Sequence, residues 1–154
     1  MMKTFKPEDG QAFYYLEIDL LVVHGNYDSS EALHVALAEF GNVFETEEEA
    51  AFAAEQIRVR IELQRLADAA NEAAIEIGEE DPTLWNYDNN HFYIFFDCNE
   101  GKLNVTFEWD QRCDLIYFPS AVSAFVAIEK LGDERILRYY FGIEPESEEG
   151  GADE

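Results

Sequence analysis

Apolar positions change period several times along the chain, and each change predicts an element. Residues 11–24, QAFYYLEIDLLVVH, are aromatic and β-branched and are followed by Gly25-Asn26, which predicts one or two strands. Ser29-Ser30 then precede EALHVALAEF, a stretch that suits either a short helix or a further strand. After the break at Gly41-Asn42, Thr46 stands as a helix N-cap with Glu49 three residues on, the spacing of a capping box. Glu47, Glu48 and Glu49 fill the first turn, where the helix dipole favours negative charge. The helix is expected to run to Ile77, with Gly78 as its stop. Phe52, Val59, Leu63, Leu66, Ala70, Ala73 and Ile77 are its apolar positions, the last six at steps of four and three, which form one stripe. At 1.5 Å per residue this helix is about 47 Å long. A domain of this size does not easily cover that length, so part of the helix is expected to project, to be broken, or to pair with a second copy.

The second half opens on an acidic hinge, Glu79-Glu80-Asp81-Pro82, and continues with NHFYIFFDCNEGKLNVTFEWD. An aromatic strand, a turn at Asn99-Glu100-Gly101-Lys102 and an alternating strand make a β-hairpin pattern. Leu103, Val105, Phe107 and Trp109 fall on one face, expected to be buried, and Asn104, Thr106, Glu108 and Asp110 on the other, expected to be wet. Asp114–Phe118 reads as a third strand. Pro119-Ser120 opens a helix through Leu131, Gly132 ends it, and Asp133 is expected to cap a second short helix. The fold class is α+β: an antiparallel sheet of aromatic hairpins, with one long helix and two short C-terminal helices packed on one side. It is expected to form a single domain over residues 1–143, followed by an acidic tail at 144–154. Two junctions are alike. Phe44-Glu45-Thr46 and Phe118-Pro119-Ser120 each place an aromatic residue two positions before a hydroxyl cap, with Ala50 and Ala124 four after it. The chain can thus be divided into two unequal units, 11–77 and 91–141, although a common strand-to-helix junction occurring twice would look the same.

Composition supports a core: of 154 residues, 47% are hydrophobic and 14% aromatic. Charge changes the picture more. Thirty-four acids face ten bases, a net −24. Solubility needs a net charge of only about 2–8 in magnitude, and the excess costs stability through self-repulsion. Such a field repels nucleic acid and anionic membrane and attracts cations and basic protein surfaces. A halophilic source, metal loading and a basic partner would each account for it; the twelve Phe and eight Tyr argue against the first. The first ten residues, MMKTFKPEDG, hold no apolar stretch of a secretory leader, and no apolar run reaches bilayer length. Two cysteines do not make a disulfide framework. A cytoplasmic protein with reduced thiols is expected.

Motifs for chemistry are scarce. His24, His34 and His91 show no zinc-binding spacing, and there is no CxxC, phosphate loop or dinucleotide fingerprint. His91, Cys98 and Cys113 could meet at a metal only if the hairpin gathered them; packing of both cysteines in or beside the sheet is the plainer expectation. Asp97 with Glu100, and Asp110 with Asp114, could act as paired carboxylates, but they also suit turns. Glu55–Arg58 and Glu62–Arg65 are i,i+3 neighbours, so those arginines are expected to pair locally rather than form a nucleic-acid patch. No catalytic residue, cofactor or metal is assigned.

What remains is the acid itself. Glu45, Glu47, Glu48 and Glu49 form one cluster. Asp68, Glu72 and Glu76, continued by Glu79, Glu80 and Asp81, form another, and the tail holds six more acids. Asp68, Glu72 and Glu76 lie four apart, so their carboxylates stand in a row at intervals of roughly 6 Å. Such a row can imitate a phosphate strand, although each cluster by itself also suits a solvated helix face. Residues 1–77 carry 16 acids against five bases, −11, and residues 78–143 carry 12 against five, −7. The charge therefore leans toward the long helix, and Glu55 and Glu62 join the candidate partner-binding set.

The segment GNVFETEEEA, Gly41–Ala50, preceded by aromatic strands, resembles small proteins of bacteriophages and prophages of Gram-positive bacteria that share a GN-x-F-x-T-x-x-E-A helix start. Phe118–Ala124 matches the pattern more weakly, with Pro119 and no glutamates. Some small acidic phage proteins of this kind are anti-CRISPR or anti-restriction inhibitors. The resemblance implies a phage setting and carries over no catalytic residues. Together with the charge it leads to one expectation: a non-catalytic DNA mimic that occupies a basic surface of a host defence nuclease, a Cas protein foremost. A self-associating structural protein, dimeric through the long helix, is the alternative, and a metal-dependent enzyme the third reading.

Overall fold

The computed structural model describes residues 4–79, 81–86 and 88–145. The protein is α+β, with two separate two-stranded antiparallel sheets and four helices among the described residues. The chain divides into two compact units, residues 1–58 and 59–154, with the boundary inside the longest helix. No helix among the described residues is long and apolar enough to cross a membrane.

The first unit begins with a hairpin of β1 (Ala12–Leu16) and β2 (Val22–Asn26). Residues 11–24 are therefore two strands, with a turn where Leu20 adopts φ +64°. A left-handed leucine costs about 1–2 kcal/mol; packing of Leu20 against Leu16, Ala50 and Ala54 offsets that cost. Phe13, fully buried, stands opposite Gly25. A Cβ at Gly25 would come within 3.1 Å of the Phe13 ring, so the break residue read from sequence is a place where an aromatic ring lies across the partner strand. The open choice over residues 31–40 resolves as a helix, α1 (Ala32–Glu39).

Gly41-Asn42-Val43-Phe44 then returns the chain to β1. Gly41 takes φ +75°. The Asn42 carboxamide accepts from Leu16 N–H at 2.8 Å and donates to Leu16 C=O at 2.7 Å, standing in for a strand neighbour. Phe44 makes an antiparallel bridge with Tyr14. Helix α2 (Glu47–Glu76) follows. Its capping box is present: Thr46 Oγ1 accepts from Glu49 N–H at 3.2 Å, and the Glu49 carboxylate accepts from the Thr46 and Glu45 N–H groups. At the other end Gly78 takes φ +82°; its N–H donates to Ile75 C=O and that of Glu79 to Ala74 C=O, the double bond pattern of a glycine stop.

The second unit holds the remainder of α2, a hairpin of β3 (His91–Asp97) and β4 (Lys102–Glu108), α3 (Ala121–Leu131) and α4 (Asp133–Tyr139). Its core joins Val59, Leu63 and Ala67 of α2 to Ile94, Leu103, Ile116 and Phe118, with Ala124, Ala127 and Ile128 of α3 and Ile136 of α4. Asp114–Phe118 is not a strand. Only Phe118 pairs, in an antiparallel bridge with Phe92, after which Ser120 and Ser123 close a capping box on α3. Each of the two junctions singled out in the sequence thus has a hairpin strand, a bridged phenylalanine and a hydroxyl-capped helix. Asp133 is the first residue of α4 rather than its cap, which is Gly132 at φ +90°.

Two hydrophobic expectations need correction. The buried positions of α2 are Ala50, Ala54, Val59, Leu63, Ala67 and Ala74, whereas Ile77 is 75% exposed. These positions step by four, five, four, four and seven, and four of the six are alanines. Leu103 on β4 is buried, but Phe107 near its end and Trp109 just beyond it are 43% and 55% exposed. The apolar face is covered near the turn and open at the far end.

Candidate functional site

The acidic side chains fall into three physical classes. In the first unit, Glu45, Glu47, Glu48 and Glu49 are exposed around the start of α2. Glu49 is partly committed to the capping box, while Glu47 and Glu48 occupy the first turn, where the dipole compensates their charge. Glu55 is half-buried and pairs with Arg58 at 2.7 Å, as its i,i+3 spacing predicts. Arg58 also donates to Leu20 C=O.

In the second unit, Asp68, Glu72 and Glu76 are all exposed at successive i,i+4 positions of α2, and Glu79 is exposed beyond the glycine stop. Asp68 accepts from the Gln64 amide at 2.8 Å. Glu62 belongs to a different class. Its expected partner was Arg65; instead Arg135 of α4 grips both carboxylate oxygens, at 2.7 and 3.0 Å. Arg135 meets the carboxylate with two parallel bonds, while Arg65 acts on it only through charge. Those bonds hold the Glu62 carboxyl below the ordinary carboxylate range. Asp81 is half-buried and spent on a turn: its carboxylate accepts from Thr83 N–H at 2.9 Å and Thr83 hydroxyl at 2.6 Å, which also lowers its pKa. Glu80 lies outside the described residues, as do residues 146–154 of the acidic tail. Glu144 pairs with Arg138 at 3.5 Å.

The structure therefore separates the eleven candidate carboxylates that fall among the described residues. Glu55, Glu62 and Asp81 are structural, Glu49 is partly so, and Glu45, Glu47, Glu48, Asp68, Glu72, Glu76 and Glu79 face solvent. The helix stripe proposed as a dimer seam is used within the second unit, because Leu63 is 1% exposed in its core.

The residues considered for metal or acid–base chemistry are placed elsewhere. His91 begins β3 and Cys98 follows its end, so they stand about 20 Å apart along a seven-residue strand. Both cysteines are exposed rather than packed beside the sheet. Among the described residues, no group of three or more His, Cys, Asp or Glu side chains is placed to hold a metal ion. Asp97 accepts from Asn99 and Glu100 N–H groups in the hairpin turn, and Glu100 pairs with Lys102.

One constellation escaped the sequence reading. His91 is 2% exposed, and neither ring nitrogen has a hydrogen-bond partner among the described residues. Its ring stacks on Trp85, centroids 3.5 Å apart and planes at 11°, and Tyr117 meets Trp85 edge-on at 4.9 Å. Trp109 donates its indole N–H to Asn90 Oδ1 at 3.0 Å. Trp85 and Trp109 line a common recess of about 290 Å³ with Asn86, Asp110 and Gln111. The two tryptophans lie 24 positions apart, and no local spacing announces that they meet.

In comparisons with known proteins, the chain matches no family model, no curated protein and no solved structure.

Proposed function

We propose that the protein is a non-catalytic inhibitor that docks on a basic, nucleic-acid-binding surface of a host defence nuclease, a Cas protein foremost, in place of the nucleic acid. The observation that carries this reading is the exposed row Asp68, Glu72 and Glu76 with Glu79 beyond it, on a chain of net −24. Carboxylates at intervals of roughly 6 Å along a rigid helix present a line of repeated negative charge, as a strand of nucleic acid does. A row of like charges at i,i+4 costs helix stability, which favours a use for the row in binding. The Glu45–Glu48 cluster of the first unit adds a second negative surface. Charge of this size steers encounter over long range and speeds association. The likeness of Gly41–Ala50 to phage proteins points to the same setting, although in the structure that motif serves to join β1 to α2.

The test is DNA cleavage by purified Cas nucleases and restriction endonucleases, with and without the protein. Inhibition is expected to be relieved by excess DNA and to fall steeply as salt rises from about 50 to about 500 mM. Cleavage unaffected by a stoichiometric excess, or inhibition indifferent to both salt and competing DNA, would count against the mimic.

A further inference from the structure

The two tryptophans of the second unit are exposed to different degrees, and each is held by its neighbours. Trp85 lies in a loop held by its own hydrogen bonds. Asn89 Nδ2 donates to the Asp81 and Leu84 carbonyls, at 3.3 and 3.2 Å, and Asn86 Oδ1 accepts from the Asp88 and Asn89 N–H groups, both at 3.0 Å. Beneath it, the buried His91 ring fixes the indole by stacking. Trp109 is 55% exposed, yet its ring is oriented by the bond to Asn90 and by an edge contact with Phe107 at 5.9 Å. Both rings are thus positioned before any ligand arrives, which removes part of the ordering cost of binding.

The recess they line has a definite chemistry. Among the described residues its wall is two tryptophans, Asn86, Gln111 and the exposed Asp110, with no basic residue. Arg112, the cation nearest in sequence, is paired with Glu108 at 2.9 Å. The larger recess around α4 is a poorer candidate, because its Arg135 and Arg138 are already engaged by Glu62 and Glu144. Indole faces attract cations through the ring quadrupole, and tryptophan does so best of the aromatic side chains. A nearby carboxylate and a chain of net −24 add to that attraction.

We propose that this recess receives the guanidinium of an arginine on the basic partner. Guanidinium is chosen over ammonium because it is planar, weakly hydrated, stacks on an aromatic face and donates in a fork. It would lie against an indole and donate to Asp110 Oδ and the Gln111 carbonyl oxygen. The Asn86 oxygen is already occupied by the loop, so Asn86 serves as wall. The proposal rests on the reading of the protein as a binder of a basic partner: the carboxylate row supplies steering, and the tryptophan recess supplies the desolvated anchor of the kind that dominates interface energetics.

The experiment separates the recess from the partner. The full chain, labelled with ¹⁵N, is titrated with N-acetylarginine N-methylamide while the two tryptophan indole N–H signals are followed; the chain has only two tryptophans. Saturable shifts of both signals are expected, about tenfold weaker with the neutral isostere N-acetylcitrulline N-methylamide and weakened to a similar degree by Asp110→Asn. Trp109→Ala, at an exposed position, should abolish the Trp85 shift while leaving the remaining spectrum folded. Equal affinity for the arginine and citrulline probes, or no saturable shift, overturns the cation site whatever the fate of the mimic. If the site holds, Trp109→Ala should also weaken inhibition of a responsive nuclease about tenfold. Unchanged inhibition would overturn the assignment of the occupant to the partner's arginine.

Discussion

Asn42 shows how a single side chain can do the work of a strand. Its carboxamide completes both backbone groups of Leu16, so Asn42→Ala leaves a half-buried donor and acceptor unpaired. A loss of about 1–3 kcal/mol is expected. Both tryptophans lie in the other unit, so hydrogen exchange at the Leu16 and Tyr14 amides is the measurement that will register it. Glu62 makes the complementary case for a carboxylate whose work is internal. Its folded pKa is held below the usual 4.5, mainly by the Arg135 hydrogen bonds. The stability it contributes is therefore present above pH 4.5 and is lost as pH falls through the lower folded value. Because the pair is partly exposed, Glu62→Gln is expected to cost only about 0.5–1 kcal/mol at neutral pH, and the difference from the parent should shrink toward zero in acid. Urea unfolding of both proteins across pH 3–7, read by tryptophan fluorescence, tests the sign. A constant difference across that range would rule out the ionised pair as its source.

Among the elements, those with strong local signals were legible: the Thr46–Glu49 box, the Gly78 stop, the β3–β4 hairpin and the Ser120 cap all stand where residue type and spacing put them. Properties set by neighbours were not legible. Phe107 on β4 and Trp109 just beyond it keep the alternation yet remain partly exposed, because alternation assigns a face but not what covers it. Glu62 chose Arg135, 73 residues away, over a helical neighbour, and Trp85 found His91 and Trp109 through tertiary structure. The acidic row, by contrast, was visible from spacing alone, and its exposure in the second unit makes a prediction with opposed signs. Glu72→Lys replaces two repulsive i,i+4 pairs with attractive ones, to Asp68 and to Glu76. Helix stability should rise by a few tenths of a kcal/mol per pair. If the row docks in a basic groove as proposed, nuclease inhibition should fall about tenfold or more, since a cation would then face that groove. Thermal unfolding and cleavage inhibition measured on the same variant decide it. A variant that gains stability without losing inhibition would move the binding surface away from this row.

At the scale of the whole molecule, charge acts on folding and binding in opposite directions, and this opposition separates a mimic from a chain that is acidic for solubility alone. Net −24 on 154 residues implies repulsion that added salt screens within a Debye length of about 10 Å at 0.1 M. Raising NaCl from about 50 to about 500 mM should therefore raise the unfolding temperature by several degrees. Over the same range the complex with a basic target should lose affinity, chiefly through a slower association rate, because steering is the part of the interaction that acts over long range. The dissociation rate should change less, since the anchor contributed by Trp85, Trp109 and Asp110 is short-range and partly desolvated once occupied. Surface plasmon resonance across the salt series resolves the two rates. A complex whose dissociation rate carries most of the salt dependence would show that the carboxylates form its tight contacts, and would assign the row to the bound interface rather than to its approach.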